Sequence, residues 1–168
     1  MTAGYLAVLA LTGGEPVYAN SLYRGVDRTP PLDFERVKSG AGWPTLGGGY
    51  EPGLLADLAE AEELAARFQE ILGAKLEVLF ASDDSSVPTD PRYSFAGYDI
   101  AADAPFYSLV GDVPADADFR RKMLSALNRF GLLEEVATGR ELHEEAIAVG
   151  VAEPRHEMRV WQVWLPNV

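Results

Sequence analysis

Between Leu54 and Ala81 the apolar residues change their period, and that switch restricts the chain to folds in which a helix lies against a sheet. From Leu54 to Leu72, Leu54, Leu58, Ala61, Ala65, Phe68 and Leu72 recur at steps of three and four. Leu55, Leu64 and Ile71 widen the stripe, while Asp57, Glu60, Glu63, Arg67 and Glu70 fall largely on the opposite side. Such a pattern predicts an amphipathic helix with one face on a core. Pro52 ahead of it and Gly73 behind it match the usual helix ends. Beyond the glycine the period falls to two. Leu76, Val78 and Phe80 point one way and Lys75, Glu77 and Leu79 the other, which predicts a strand from Leu76 to Ala81.

Two more strands are predicted in the same stretch, Tyr93 to Ile100 and Phe106 to Gly111. Both are rich in the aromatic and β-branched residues that suit a half-buried pleated surface. The loop before the first carries Asp83, Asp84, Asp90 and two prolines, and the loop before the second carries Asp103. These three strands are expected to form the middle of the sheet on which the long helix packs.

Elsewhere, the apolar run Tyr5 to Leu11 suits a central strand covered on both faces. Gly13-Gly14 then turns the chain into an alternating strand, Val17 to Tyr23. Phe119, Met123, Leu127 and Phe130 mark a helix capped by Asp116 or Asp118 and stopped by Gly131. Thr138-Gly139 reads as a break before a short helix, Arg140 to Val149. Arg155 to Leu165 alternates as a final strand. The order of elements predicts an α+β fold, a single globular domain over 1–168. Its mostly antiparallel sheet of about five to six strands carries two to three helices on one face.

The net charge is −12, a field that repels phosphate backbones and anionic lipid heads. Nucleic acid and membrane are therefore not expected partners. A basic protein partner is expected, although solvation alone also accounts for such a charge. The chain has no cysteine, so disulfides, cysteine-ligated metals and cysteine nucleophiles are excluded. That composition is compatible with a reducing cytosol, and a cytoplasmic location is expected. No Lys or Arg precedes the first apolar run, as a secretory leader would require.

Motifs for catalysis and cofactors are missing. Leu46-Gly47-Gly48-Gly49-Tyr50 lacks the Lys-Ser/Thr of a phosphate loop, and no serine sits in Gly-x-Ser-x-Gly. His143-Glu144-Glu145 lacks a second histidine four residues on. Asp112, Asp116 and Asp118 lack the glycine and glutamate of a calcium loop. No cofactor or metal is expected on these grounds.

The remaining signal is acidic and aromatic. Asp83, Asp84, Asp90, Asp99 and Asp103 bracket a strand bearing Tyr93 and Tyr98, with Tyr107 beyond. Tyrosines beside carboxylates form the anchor and rim of protein interfaces, although the same residues also serve to fill a core and solvate loop ends. The leading reading is a small, acidic, soluble module that docks a basic protein partner and is not an enzyme. In general character the chain is similar to bacterial toxin-immunity proteins, compact acidic inhibitors without catalytic motifs. Two alternatives remain: a metal-dependent hydrolase using His143 and His156, and a small-ligand binder lidded by the glycine-rich loop Gly40 to Gly53.

Overall fold

In the computed structural model, residues 3–9, 54–72, 76–101, 117–150 and 159–167 are described. Their elements run β1 (Ala3–Leu9), α1 (Leu58–Leu72), β2 (Leu76–Ser82), β3 (Tyr93–Ala101), α2 (Ala117–Ser125), α3 (Val136–Ala148) and β4 (Arg159–Pro166). The four strands form one sheet in the order β1-β2-β4-β3, every neighbouring pair antiparallel. The α+β class is as expected. The described strands number four against the five or six expected, and the Val17–Tyr23 and Phe106–Gly111 strands lie outside the described residues.

The strand order is one that the sequence did not supply. β3 does not lie beside β2, because the C-terminal strand β4 is inserted between them. β4 is antiparallel to both, so β2 and β3 run in the same direction. The proline-bearing segment 83–92 therefore returns along the length of the sheet instead of making a hairpin.

Register assigns the faces, since directly paired antiparallel residues share one. Tyr5, Phe80, Trp164 and Phe95 make one row across all four strands. Ile100 and Val160 lie on the same side, because the register shift between Phe95 and Gly97 keeps Tyr98 there opposite Gln162. All three helices pack on this face. Ala61 and Ala65 of α1 cover Tyr5, Val78, Phe80 and Tyr93. Phe119 and Met123 of α2, with Leu142 and Ala146 of α3, cover Ile100 and Val160. The other face holds Leu6, Leu79, Ala81, Trp161 and Val163 with Leu54 and Leu132. Trp161 has no accessible surface, and burying such a side chain contributes roughly 3 kcal/mol.

Local chemistry fixes the ends. Asp57 Oδ1 accepts the Glu60 N–H at 3.0 Å, an N-cap one residue ahead of α1. At the other end Gln69 Oε1 accepts the Leu76 N–H at 2.8 Å and ties the helix to the start of β2. The helix thus begins at Leu58, later than the Leu54 that periodicity suggests, because Leu55 is engaged elsewhere. Its N–H donates to Tyr5 O at 2.9 Å and its carbonyl accepts from Tyr5 N–H at 2.7 Å. The side chains of Phe68, Ile71 and Leu72, expected in the helix stripe, lie outside the described set.

α2 stops at Ser125, short of the expected Phe130. The chain then turns on Asn128, whose Oδ1 accepts from Phe130 N–H (2.9 Å) and Leu132 N–H (3.2 Å) and whose Nδ2 donates to Ala96 O (2.7 Å). This turn delivers Leu133 to β3, where it exchanges two backbone hydrogen bonds with Tyr98. Both outer strands of the described order are thus covered at one point, β1 by Leu55 and β3 by Leu133, which blunts edge-to-edge pairing.

Gly139, expected to break the chain, instead lies inside α3. A Cβ there would meet Ile100 Cδ1 at 2.6 Å and Leu133 Cδ1 at 2.9 Å. The glycine is a close-approach residue that lets α3 sit directly on β3, and the helix accordingly begins four residues earlier than predicted.

Candidate functional site

Because β2 and β3 share a direction, the acidic loop 83–92 has its two ends at opposite ends of the sheet. Asp83 follows the end of β2, level with Asp99 on β3, whereas Asp90 precedes the start of β3. Six to seven residues of strand, roughly 20 Å, separate them. The acids grouped by sequence therefore form two sites and not one rim.

At the Asp90 end the charges are internally matched. Arg92 donates to Asp90 Oδ1 and Oδ2 through Nε and to Oδ2 through Nη2 at 2.7 Å, and its Nη2 also reaches Glu62 of α1 at 3.0 Å. These hydrogen bonds from Arg92 hold the Asp90 carboxyl below the usual carboxylate range, and the same contacts push the guanidinium up. Tyr93 lies beneath, buried, its hydroxyl donating to Val78 O at 2.9 Å. Burial pushes its phenol well above the ordinary tyrosine value. Asp99 is also fully buried, paired in register with Trp161 on the face opposite the helices.

Two of the expected anchor-and-rim residues, Tyr93 and Asp99, are thus interior. Tyr98 is half-buried on the helix face, and Asp84 is exposed. Asp103 and Tyr107 lie outside the described residues, as do His156 and the Gly40–Gly53 loop.

At the Asp83 end, that aspartate, just past β2, lines a cleft of about 440 Å³ together with residues of β3, β4 and α3. Ile100 and Val160 contribute its apolar part, and Asp83, Arg140, His143, Glu144 and Arg159 its polar part. Arg159 Nη1 donates to Asp83 Oδ2 at 3.0 Å, and the aspartate side chain is only 9% exposed. Asp83 Oδ1 and His143 Nε2 are buried without hydrogen-bond partners. Among the described residues, no group of three or more His, Asp or Glu side chains could hold a metal ion.

Midway between these ends, Phe95 remains 42% exposed on the helix face. It meets Tyr98 edge-on at 5.0 Å between centroids and Trp164 at 5.3 Å. α1 covers the sheet on the Tyr93 side of this trio and α2 with α3 on the Ile100 side. Sequence reasoning missed Phe95, Trp164, Arg140 and Arg159 as site residues. The strand alternation carrying Phe95 and Trp164 was legible, but their adjacency depends on β4 pairing with β3. The glycine at 97, with φ +149° and a Cβ position 2.7 Å from Leu132 Cβ, was the local sign of the irregularity that puts Tyr98 beside Phe95.

No family model matches the chain, and neither a curated protein nor a solved structure is significantly similar to it. Among the described residues no helix is long and apolar enough to cross a membrane.

Proposed function

We propose that the chain is a protein-binding module, immunity- or inhibitor-like in character, that docks a basic protein partner. The observation that carries this reading is the Phe95–Tyr98–Trp164 trio on the helix-bearing face, in which an exposed Phe95 stands on half-buried Tyr98 and Trp164. Aromatic anchors of this kind dominate binding energy when a partner excludes water from them. The outer side of α1, on the same face, supplies the charge. Asp57, Glu60, Glu62, Glu63 and Glu70 are exposed along it, and the only base among them, Arg67, is already paired with Glu63. Arg92, next to α1, is likewise held by Asp90 and Glu62. What faces outward is therefore a net negative ridge, and a cationic partner is steered toward it. Phosphate-bearing partners are disfavoured by the same field. Cytoplasmic residence goes with this reading, since a cysteine-free chain suits a reducing compartment.

The test is capture of the partner from the native cell with three forms of the chain. The unmodified protein is expected to recover one stoichiometric basic companion. Phe95→Ser is expected to weaken that complex about tenfold or more, chiefly in the off-rate. Glu60→Lys with Glu70→Lys is expected to slow association and flatten its dependence on salt. An on-rate indifferent to ionic strength, or a companion held equally by all three forms, would overturn the proposal.

A further inference from the structure

The cleft at the Asp83 end carries chemistry that the docking face does not use. Its charges balance. Asp83 and Arg159 neutralise each other through their 3.0 Å contact. Arg140 and Glu144, both exposed on α3, carry opposite charges, and neither makes an ion pair or side-chain hydrogen bond among the described residues. Asp83 and His143, which also line the cleft, each keep one buried polar atom without a partner, Oδ1 and Nε2 respectively. Leaving such an atom unpaired costs about 1–3 kcal/mol, so a bound molecule that met both would recover that cost. Ile100 and Val160 add an apolar surface beside the charges.

These features select among ligand classes. A simple anion would meet the carboxylates of Asp83 and Glu144. A simple cation would meet Arg140 and Arg159. An uncharged polar molecule would leave the Arg140 charge unanswered. A molecule with one charge of each sign and an apolar arm answers every wall, and a cleft of about 440 Å³ lies within the size range of small-molecule sites. We propose that this cleft binds a free zwitterionic amino acid with an apolar side chain. Its carboxylate pairs with the Arg140 guanidinium. Its ammonium donates to Asp83 Oδ1 and to His143 Nε2, the imidazole acting as acceptor in its Nδ1–H tautomer, with Glu144 adding negative field. Its side chain rests on Ile100 and Val160. Asp83 Oδ1 and His143 Nε2 are both buried, so binding requires the side chains around them to move. The cleft lies at the Asp83 end and shares no residue with the Phe95–Tyr98–Trp164 trio, and its test does not involve the protein partner.

Calorimetric titration with L-leucine, L-isoleucine and L-valine tests the assignment. Leucinamide, which lacks the carboxylate, and 4-methylpentanoate, which lacks the ammonium, serve as controls. At least one of the three amino acids is expected to bind saturably. Both controls are expected to bind at least about tenfold more weakly than leucine, each having lost one charged contact. Arg140→Gln, at an exposed helix position that leaves folding intact, is expected to weaken amino-acid binding by a similar factor. In His156→Gln protein the remaining imidazole is His143, and its Nε2 resonance is expected to shift on saturation. The assignment is overturned if none of the three amino acids saturates up to about 10 mM. It is also overturned if leucine and its two controls bind alike, if Arg140→Gln leaves affinity unchanged, or if binding leaves the His143 resonance unmoved.

Discussion

Tyr93 shows how one residue can look like an interface anchor and serve as a core strut. Its hydroxyl is the only part that needs a polar partner, and Val78 O provides it at 2.9 Å across the end of β4. The ring packs against Tyr5 at 5.8 Å between centroids, beneath α1. Tyr93→Phe keeps the ring but leaves a buried carbonyl short of its donor, an expected loss of about 1–2 kcal/mol in urea unfolding. The pH dependence follows from the raised phenol. Above about pH 10 the unfolded chain releases this proton while the folded chain holds it, so the folded state binds more protons and stability falls as pH rises. The contribution is fully present below that pH. The chain has six other tyrosines, so the readout is the difference between the two proteins. The alkaline decline is expected to be shallower in Tyr93→Phe, and identical slopes would mean that the phenol is not shielded in the fold.

At the scale of elements, the turn after α2 carries more structure than its length suggests. Asn128 alone satisfies Phe130 N–H, Leu132 N–H and Ala96 O, and through Leu132 and Leu133 it fixes the cover over β3. Asn128→Ala is expected to cost about 3 kcal/mol, near the sum of three modest hydrogen bonds. Native-state hydrogen exchange at Tyr98 and Leu133 should accelerate more than exchange in β1 or β2. Unchanged protection at Tyr98 would show that the turn is held by packing instead. Apolar spacing does not mark this asparagine, because its distant partner, Ala96 O, lies on β3 and the expected helix stripe, Phe119 to Phe130, reads straight through it. The periodic elements were legible: α1, β2, β3 and β4 appear where apolar spacing puts them, with ends shifted by caps such as Asp57. Strand order was not, since alternation says which face a residue takes but not which strand it meets. Gly139 was misread for a related reason. A glycine needed for close approach to Ile100 cannot be told in sequence from one that breaks a helix. The candidate site suffered most, because grouping Asp83 with Asp90 assumed that both ends of one loop stay together, and the shared direction of β2 and β3 separates them.

For the molecule as a whole, the question is whether its charge helps or hinders folding. The net charge of −12 favours expansion through self-repulsion. Against it stand ion pairs such as Arg67–Glu63, Arg121–Asp118 and Lys122–Glu145, with at least one partner well exposed in each. Salt weakens both, so their balance sets the sign of its effect. Exposed pairs contribute about 0–1 kcal/mol apiece and are short-ranged. The repulsion sums over many carboxylates, and at low salt the screening length of roughly 30 Å at 0.01 M spans a large part of a molecule of this size. Repulsion should therefore win. Raising sodium chloride from about 10 to 200 mM at pH 7 is expected to raise Tm by a few degrees in scanning calorimetry. Glu60 and Glu70 allow the cause to be isolated, because they lie on the outer side of α1 and belong to no ion pair among the described residues. Glu60→Gln with Glu70→Gln removes two charges from the ridge without breaking a contact of either carboxylate. The doubly substituted protein is expected to melt higher than the original at about 10 mM salt and to gain less from added salt. A Tm that is flat or falls with salt in the original protein would mean that the local pairs outweigh the net field. The acidic ridge would then stabilise the fold, and its charge would owe nothing to a partner.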